Sequence, residues 1–202
     1  MLILASASPR RKELLGVLVK EFDVLPADID ETPFAQELAM DYVKRMAVEK
    51  AVASIQKYHQ QGCVDDSALF MASDTSVVID GCILGKPESL EDSKFMLRRL
   101  SGRSHQVLTS LCLTTVAQDH LAVICVSSEV FFRDISDLEM EQYWYSNEPQ
   151  DKAGSYAIQG LGAAFVRSMS GSYSAVVGLP LFEAAQLLAQ FGIHPLEDMS
   201  HE

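Results

Sequence analysis

Hydrophobic positions along this chain change period from segment to segment. Leu2–Ala5 is a short unbroken apolar run, the pattern of a buried strand. Ser8 and Pro9 then supply an N-cap and a first helical position. Leu14, Leu15 and Leu18 follow at helical spacing and give that helix one apolar stripe. Phe22–Leu25 predicts a second strand, and Asp28-Ile29-Asp30-Glu31-Thr32-Pro33 predicts an acidic loop. A long helix is predicted from about Phe34 to Tyr58, with His59 at its end, where partial positive charge suits the helix dipole. Leu69–Ala72 and Val77–Ile79 predict two strands joined through the polar Ser73-Asp74-Thr75-Ser76.

Gly81 turns the chain, and Ile83 and Leu84 lead into Gly85-Lys86-Pro87. Ser89–Leu100 predicts a helix capped by Ser89, with Glu91 and Asp92 in its first turn. Gln106–Val116 and Leu121–Arg133, flanking Gln118-Asp119-His120, predict a hairpin of two long strands. Ser136–Ser146 reads as a short helix, and Asp151–Gly162 as a polar loop without a period. Ala163–Met169 reads as a strand, Gly171-Ser172 opens a helical stretch, and Leu181–Phe191 is a last amphipathic helix ending at Gly192. Strands and helices intermix, so the expected class is α/β with a mixed twisted sheet and flanking helices.

The 202 residues are 48% hydrophobic and 22% charged, which excludes a disordered chain, a collagen and a low-complexity linker. That length suits one domain, residues 1–202, and equally two small lobes around a central cleft. No apolar run approaches the roughly 18–20 residues of a membrane span. The apolar start lacks a positive leader and meets Arg10 and Arg11 at once, unlike a signal peptide. A soluble, cytoplasmic protein without membrane partners is expected. The net charge of −12 offers no basic stripe for a long nucleic acid. A small anion is still compatible if positive charge is gathered locally. The cysteines, Cys63, Cys82, Cys112 and Cys125, form no C-x-x-C pair and read as four small core residues. His105, His120, His194 and His201 are scattered and form no cluster.

Five stretches carry candidate chemistry. In Ser8-Pro9-Arg10-Arg11 two arginines oppose the dipole of the helix they open, each at about 0.3–1 kcal/mol when exposed. A docking anion would account for them, with hydroxyl donors from Ser6 and Ser8; so would an ordinary solvated turn. Lys50 falls in the middle of the face shared by Ala39, Val43, Met46, Ala47 and Ser54, where it either snorkels or lines a polar site. Asp74 follows Leu69-Phe70-Met71-Ala72, where a strand's carboxyl end can present a carboxylate to a metal or a proton. A turn-capping aspartate has the same pattern. Gly85-Lys86-Pro87 keeps Lys86 out of a helix, although the spacing is not a Walker A loop. In the loop at Ile158-Gln159-Gly160, the Gln159 amide has the donors and acceptor to read a base edge, or simply a structural role. Taken together, Arg10, Arg11, Lys50 and Lys86 with two acidic sites fit a nucleotide polyphosphate handled with a divalent metal.

Ala5-Ser6-Ala7-Ser8-Pro9-Arg10-Arg11-Lys12-Glu13-Leu14-Leu15 resembles the amino-terminal signature of Maf nucleotide pyrophosphatases. The resemblance continues through the Glu31 loop, Glu49-Lys50-Ala51, Ser73-Asp74-Thr75, Gly85-Lys86-Pro87 and Leu100-Ser101-Gly102-Arg103-Ser104-His105-Gln106-Val107. It extends over Glu148-Pro149-Gln150-Asp151-Lys152-Ala153-Gly154, Ile158-Gln159-Gly160 and Gly171-Ser172-Tyr173 to Val177-Gly178-Leu179-Pro180, and so from Leu2 to about Phe191. It implies a fold like that of the inosine-triphosphate pyrophosphatases. It also implies hydrolysis of nucleoside triphosphates between the α and β phosphates, with Mg²⁺ or Mn²⁺. Asp74 matches the proton acceptor. Arg10, Thr75 and Gln159 match positions that separate substrate branches, and here resemble the branch acting on dTTP and UTP, with modified pyrimidine nucleotides as further candidates. Ser8, Arg11, Glu31, Lys50 and Lys86 match other pocket positions. Asp74, Glu31, Lys50 and Lys86 are thus the expected catalytic set, with Asp74 and Glu31 as metal ligands. Ser6, Ser8, Arg10, Arg11, Thr75 and Gln159 are the expected substrate contacts. Ser73 and Ser76 depart from the small or apolar residues usual beside the Asp-Thr pair.

Two other classes compete. The family is also associated with inhibition of septum formation, which implies a non-catalytic regulator that binds a division protein. Fold analogy alone would give a house-cleaning enzyme for damaged purine nucleotides. Retention of every ionic pocket residue favours the enzyme over the regulator. A homodimer is left open.

Overall fold

The computed structural model describes residues 1–195. His201 lies outside the described residues. The described strands are β1 (Leu2–Leu4), β2 (Asp23–Val24), β3 (Leu69–Ile79), β4 (Cys82–Leu84), β5 (Ser104–Thr115), β6 (Leu121–Phe132) and β7 (Val166–Ser170). The helices are α1 (Pro9–Leu18), α2 (Ala39–Gln60), α3 (Leu90–Leu100), α4 (Asp137–Tyr145), α5 (Tyr173–Val177) and α6 (Leu181–Gln190). Strand order is β2-β1-β3-β5-β6-β7, with β4 paired to β3. Pairing is parallel for β1 with β2 and β3, and antiparallel for β3 with β4 and β6 with β7. The sheet is therefore mixed, as the intermixed pattern predicts.

The chain divides into two compact units. One holds Met1–Asp74, Thr109–Cys125 and the chain from Gly178; the other holds Thr75–Leu108 and Val126–Val177.

In the first unit the two-residue period of the strands sorts side chains onto two faces. Leu2, Leu4 and Met71 pack with Leu15 of α1 and Ala184, Leu187 and Leu188 of α6. Ile3 and Phe70 pack with Ile55 and Tyr58 of α2. Ala5 just past β1, Ala72 of β3 and Cys112 of β5 meet Ala47 and Ala51 of α2. Small side chains on both partners are what allow that helix to lie close to the strands.

In the second unit, α3 and α4 cover a core built from Val77, Ile79, Leu97, Leu100, Val130, Phe132 and Met140. Ser89 caps α3, and Ser136 with Glu139 forms a reciprocal capping box on α4. His105 is buried edge-on to Phe132, with its Nε2 2.8 Å from the Tyr156 hydroxyl. Burial pushes its pKa down to about 4, so it is a neutral core residue. Gly154 has φ +67°, and a Cβ there would stand 2.8 Å from the Val77 side chain. Gly154→Ala is expected to lower stability by about 2–4 kcal/mol, from left-handed backbone and overpacking together. Denaturant unfolding measures this.

Besides the strand expected at Ala163–Met169, which starts only at Val166 after a 3-10 helix over Leu161–Phe165, three expectations change. The segment Ser73-Asp74-Thr75-Ser76 is not a connection: β3 runs unbroken through it. Ser73 stays in the strand interior because its Oγ donates to the Gly178 carbonyl at 2.8 Å. Asp74 therefore sits inside a strand, and neither ends one nor caps a turn. Secondly, the long helix begins at Ala39 rather than Phe34. Gln36 has φ 62°, and the Phe34 amide donates to the Glu37 carboxylate at 3.0 Å, so this stretch is folded as a turn. Thirdly, the cysteines are not four core residues: Cys112 is buried, Cys63 and Cys125 are half-buried, and Cys82 is exposed.

Candidate active site

The amino-terminal signature builds one side of the site. Ser8 caps α1, its Oγ accepting from the Arg11 amide, and Pro9 opens the helix. The Arg11 side chain turns back from the helix. Its Nε donates to the Gly178 carbonyl at 3.0 Å and its Nη1 to Ser6 Oγ at 3.3 Å. Ser6 Oγ also accepts from the Ser8 amide at 3.2 Å. Gly178 adopts φ 134°, so its carbonyl can serve both Arg11 and Ser73. The arginines are thus not a solvated turn: Arg10 and Arg11 are both half-buried.

The ionic centre comes from α2, β3 and the acidic loop. Val43, Met46, Ala47, Ala51 and Ser54 are buried on α2, and Lys50 stands in that stripe. Asp74 shares strand parity with Phe70 and Ala72, whose side chains meet α2. The Lys50 ammonium accordingly lies 2.6 Å from Asp74 Oδ1 and 2.7 Å from Glu31 Oε1. Lys50 is bridging carboxylates, not snorkelling. Its side chain is 14% exposed and that of Asp74 11%, so water screens their attraction only partly.

The field of this cluster reaches its neighbours. Loss of hydration lowers the Arg11 pKa, against the opposing pull of Asp74 and Glu31. Burial raises the Tyr42 phenol to about 12, and Asp74 and Glu31 push in the same direction. Tyr42 is therefore a fixed hydroxyl donor, bonded at 2.8 Å to the Glu31 carbonyl.

Ser6, Ser8, Arg11, Glu31, Lys50 and Asp74 all belong to the first unit. Thr75, next to Asp74 in β3, is half-buried, and Arg10 occupies the second position of α1. Lys86 and Gln159 belong to the second unit, and both are exposed. Lys86 follows β4 in extended chain, and the neighbouring Gly85 carbonyl accepts from the Gly154 amide at 3.0 Å. Gln159 rides on a turn fastened by Glu148. The Glu148 carboxylate accepts from the Leu161 and Gly162 amides at 2.8 and 3.0 Å and from the Tyr143 hydroxyl at 2.7 Å. Tyr143 in turn accepts from the Ala157 amide at 3.1 Å. A Cβ on Gly160 would run into the Glu148 carboxylate, which is why glycine follows Gln159.

The donor set suits a hard divalent cation. Asp74 and Glu31 are the converging carboxylates, and no cluster of three or more His, Cys, Asp or Glu side chains exists among the described residues. Mg²⁺ takes only one or two carboxylates when waters and phosphate oxygens complete its shell, so this pair fits.

Sequence reasoning gave no role to Tyr42, Arg45 and Tyr143, and none to Glu148 beyond its place in a matched stretch. Tyr42, Met46 and Lys50 stand at i, i+4 and i+8 on α2, a spacing that links the phenol to the lysine's face. Glu148 carries no such signal, because its partners are backbone amides.

The chain is thus a mixed α/β protein with a Glu–Lys–Asp centre and a serine-capped, arginine-bearing first helix. The family described as Maf-like protein matches residues 1–191, and the chain belongs to the Maf family. A dTTP/UTP pyrophosphatase of Vibrio parahaemolyticus is 50% identical over 94% of this chain and 96% of its own length. The dTTP/UTP pyrophosphatase of Hahella chejuensis is 49% identical over 95% of this chain and 92% of its own. That of Colwellia psychrerythraea is 50% identical over 95% and 88%. A solved nucleoside-triphosphatase, the dITP/XTP pyrophosphatase of Mycobacterium abscessus, aligns with a TM-score of 0.40 at 14% identity, covering 66% of this chain and 75% of its own.

Proposed function

We propose that this chain hydrolyses dTTP and UTP to the nucleoside monophosphate and pyrophosphate, with Mg²⁺ or Mn²⁺, and that residues 1–202 form one Maf domain. The observation that carries this reading is the Lys50 ammonium held between Glu31 and Asp74, in a chain about half identical to dTTP/UTP pyrophosphatases. A nucleotide substrate fits a cytoplasmic location, and no described helix is long and apolar enough to cross a membrane.

In the reaction, water adds to the α phosphorus. The bridging P–O bond breaks, and its electron pair leaves on pyrophosphate. Asp74 accepts the proton that water gives up. Lys50 and Arg11 hold positive charge where negative charge grows, and their fixed hydrogen bonds mean that little reorganisation is needed. Ser6, Ser8 and the first amides of α1 offer donors to phosphate oxygens, as a helix start does. Arg10 and Lys86 add cations to the polyphosphate, and Thr75 adds a hydroxyl. A metal held by Asp74 and Glu31 would supply further positive charge and acidify bound water. A panel of nucleoside triphosphates, followed by ³¹P NMR, tests the reading. Pyrophosphate from dTTP and UTP supports it; orthophosphate plus a diphosphate, or no turnover with any triphosphate, overturns it.

Base choice gives a separate expectation. Uracil and thymine present a carbonyl beside an N3–H, whereas cytosine presents the reverse polarity. The Gln159 amide matches the former when held in one orientation. Mispairing costs about 1–3 kcal/mol, so dTTP and UTP are expected to lead CTP and purines by roughly 10- to 100-fold in kcat/KM. Gln159→Ala is expected to flatten that ranking more than it lowers the best rate. An unchanged ranking places base selection elsewhere.

A further inference from the structure

The acidic loop presents Glu31 to Lys50 although no strand or helix holds it: residues 25–38 lie between β2 and α2 without regular structure. Ordering such backbone costs on the order of 1–2 kcal/mol per residue, so something specific has to fix it. Side chains of α2 do so: Ser54 and Lys57 donate to the Leu25 and Pro26 carbonyls at 2.6 and 2.7 Å, and around Glu31 itself two side chains at i and i+3 act from one face of the helix. Tyr42 donates to the Glu31 carbonyl at 2.8 Å. Arg45 Nη2 donates to the next carbonyl, that of Thr32, at 3.1 Å.

Arg45 does more than that one bond. Its Nε and Nη2 grip both oxygens of Glu37, each at 2.7 Å. Glu37 in turn accepts from the Phe34 amide at 3.0 Å, and the Phe34 ring lies 3.8 Å from the guanidinium carbon. Arg45 Nη1 reaches Glu49 at 3.3 Å. Glu37 and Glu49 raise the Arg45 pKa, and Arg45 lowers that of Glu37, so both ends of the fork stay charged. One planar guanidinium thus fastens the loop at Thr32, Phe34 and Glu37, on either side of Pro33. A lysine could not reproduce this, having a single point of charge.

We propose that Arg45 is a positioning residue for Glu31: by folding the 32–37 segment around its guanidinium, it holds the Glu31 carboxylate at Lys50. This rests on the reading of Glu31 as a site carboxylate. Arg45 bonds Glu37, Glu49 and the Thr32 carbonyl and packs on the Phe34 and Tyr42 rings, and it acts on the centre through the loop.

Two measurements test it together. Hydrogen exchange in Arg45→Met is expected to speed up at the Thr32, Phe34 and Glu37 amides, while the rest of α2 keeps its protection. Arg45→Lys is expected to fall between the two. In steady-state hydrolysis of dTTP, Arg45→Met is expected to lower kcat by about 10- to 100-fold, the range for residues that orient a site ligand. KM is expected to change less. The deciding comparison is made in Glu31→Gln. If Arg45 acts through Glu31, adding Arg45→Met to Glu31→Gln removes little further rate. A full repeat of the loss in that background overturns the proposal, as does unchanged exchange in Arg45→Met. If wild-type protein releases no pyrophosphate, the proposed enzyme function fails and the exchange comparison still decides whether Arg45 holds the 32–37 segment. If Glu31→Gln keeps full rate, Glu31 is not a site carboxylate, and the positioning role falls with it.

Discussion

Asp74→Asn is expected to lower the turnover of dTTP by about 100-fold or more, the scale of losing a general base. Asparagine keeps the shape of the side chain and its acceptor toward Lys50, 2.6 Å away, but cannot take a proton. The substitution is also expected to lower stability by about 1–3 kcal/mol, because a buried acceptor of an ammonium loses its charge. Lys50 retains Glu31, which limits the loss. Steady-state kinetics with denaturant unfolding separate the two effects. Turnover that survives while the protein melts earlier would assign Asp74 a purely structural role in β3. Turnover lost at nearly full folded population leaves the chemical role standing.

Removing divalent metal is expected to abolish pyrophosphate release, and Mg²⁺ or Mn²⁺ to restore it. Metal contributes several kcal/mol where charge moves onto a phosphate leaving group. That corresponds to a fall of about 10³-fold or more in rate. Lys50 and Arg11 remain when metal is stripped, but both are already bonded within the protein, to carboxylates and to the Gly178 carbonyl. They cannot also replace the charge that is lost. The metal concentration for half-maximal rate is expected to rise in Glu31→Gln, since Glu31 and Asp74 are the two carboxylates that meet at Lys50 among the described residues. A rate in EDTA equal to that in Mg²⁺ would remove metal from the mechanism.

Much of the fold was legible from pattern. The stripe of Leu14, Leu15 and Leu18, the cap at Ser89 and the paired long strands all appear where hydrophobic period and turn chemistry put them. These are local signals, each carried within a few residues of its effect. Two of the failures share a cause. Ser73-Asp74-Thr75-Ser76 looked like a connection because polar residues are rare in a buried strand. They are tolerated because Ser73 finds the Gly178 carbonyl and Asp74 finds Lys50, partners that lie far along the chain. The start of α2 was displaced for the same kind of reason: Arg45 draws Glu37 and Phe34 into a turn that periodicity alone would have made helical.

The local order of residues is enough to specify helix and strand types, the serine-capped start of α1, and the placing of Lys50 on an otherwise buried helical face. Those depend on backbone period, capping and side-chain size, all of which act over a few residues. Tertiary structure alone brought Glu31, Lys50 and Asp74 to within hydrogen-bond distance, turned Arg11 back onto Ser6 and Gly178, and fastened Glu148 under the turn of Gln159. Charge pairing of this kind depends on distance in space, and strand pairing and helix packing set that distance only after the chain has folded.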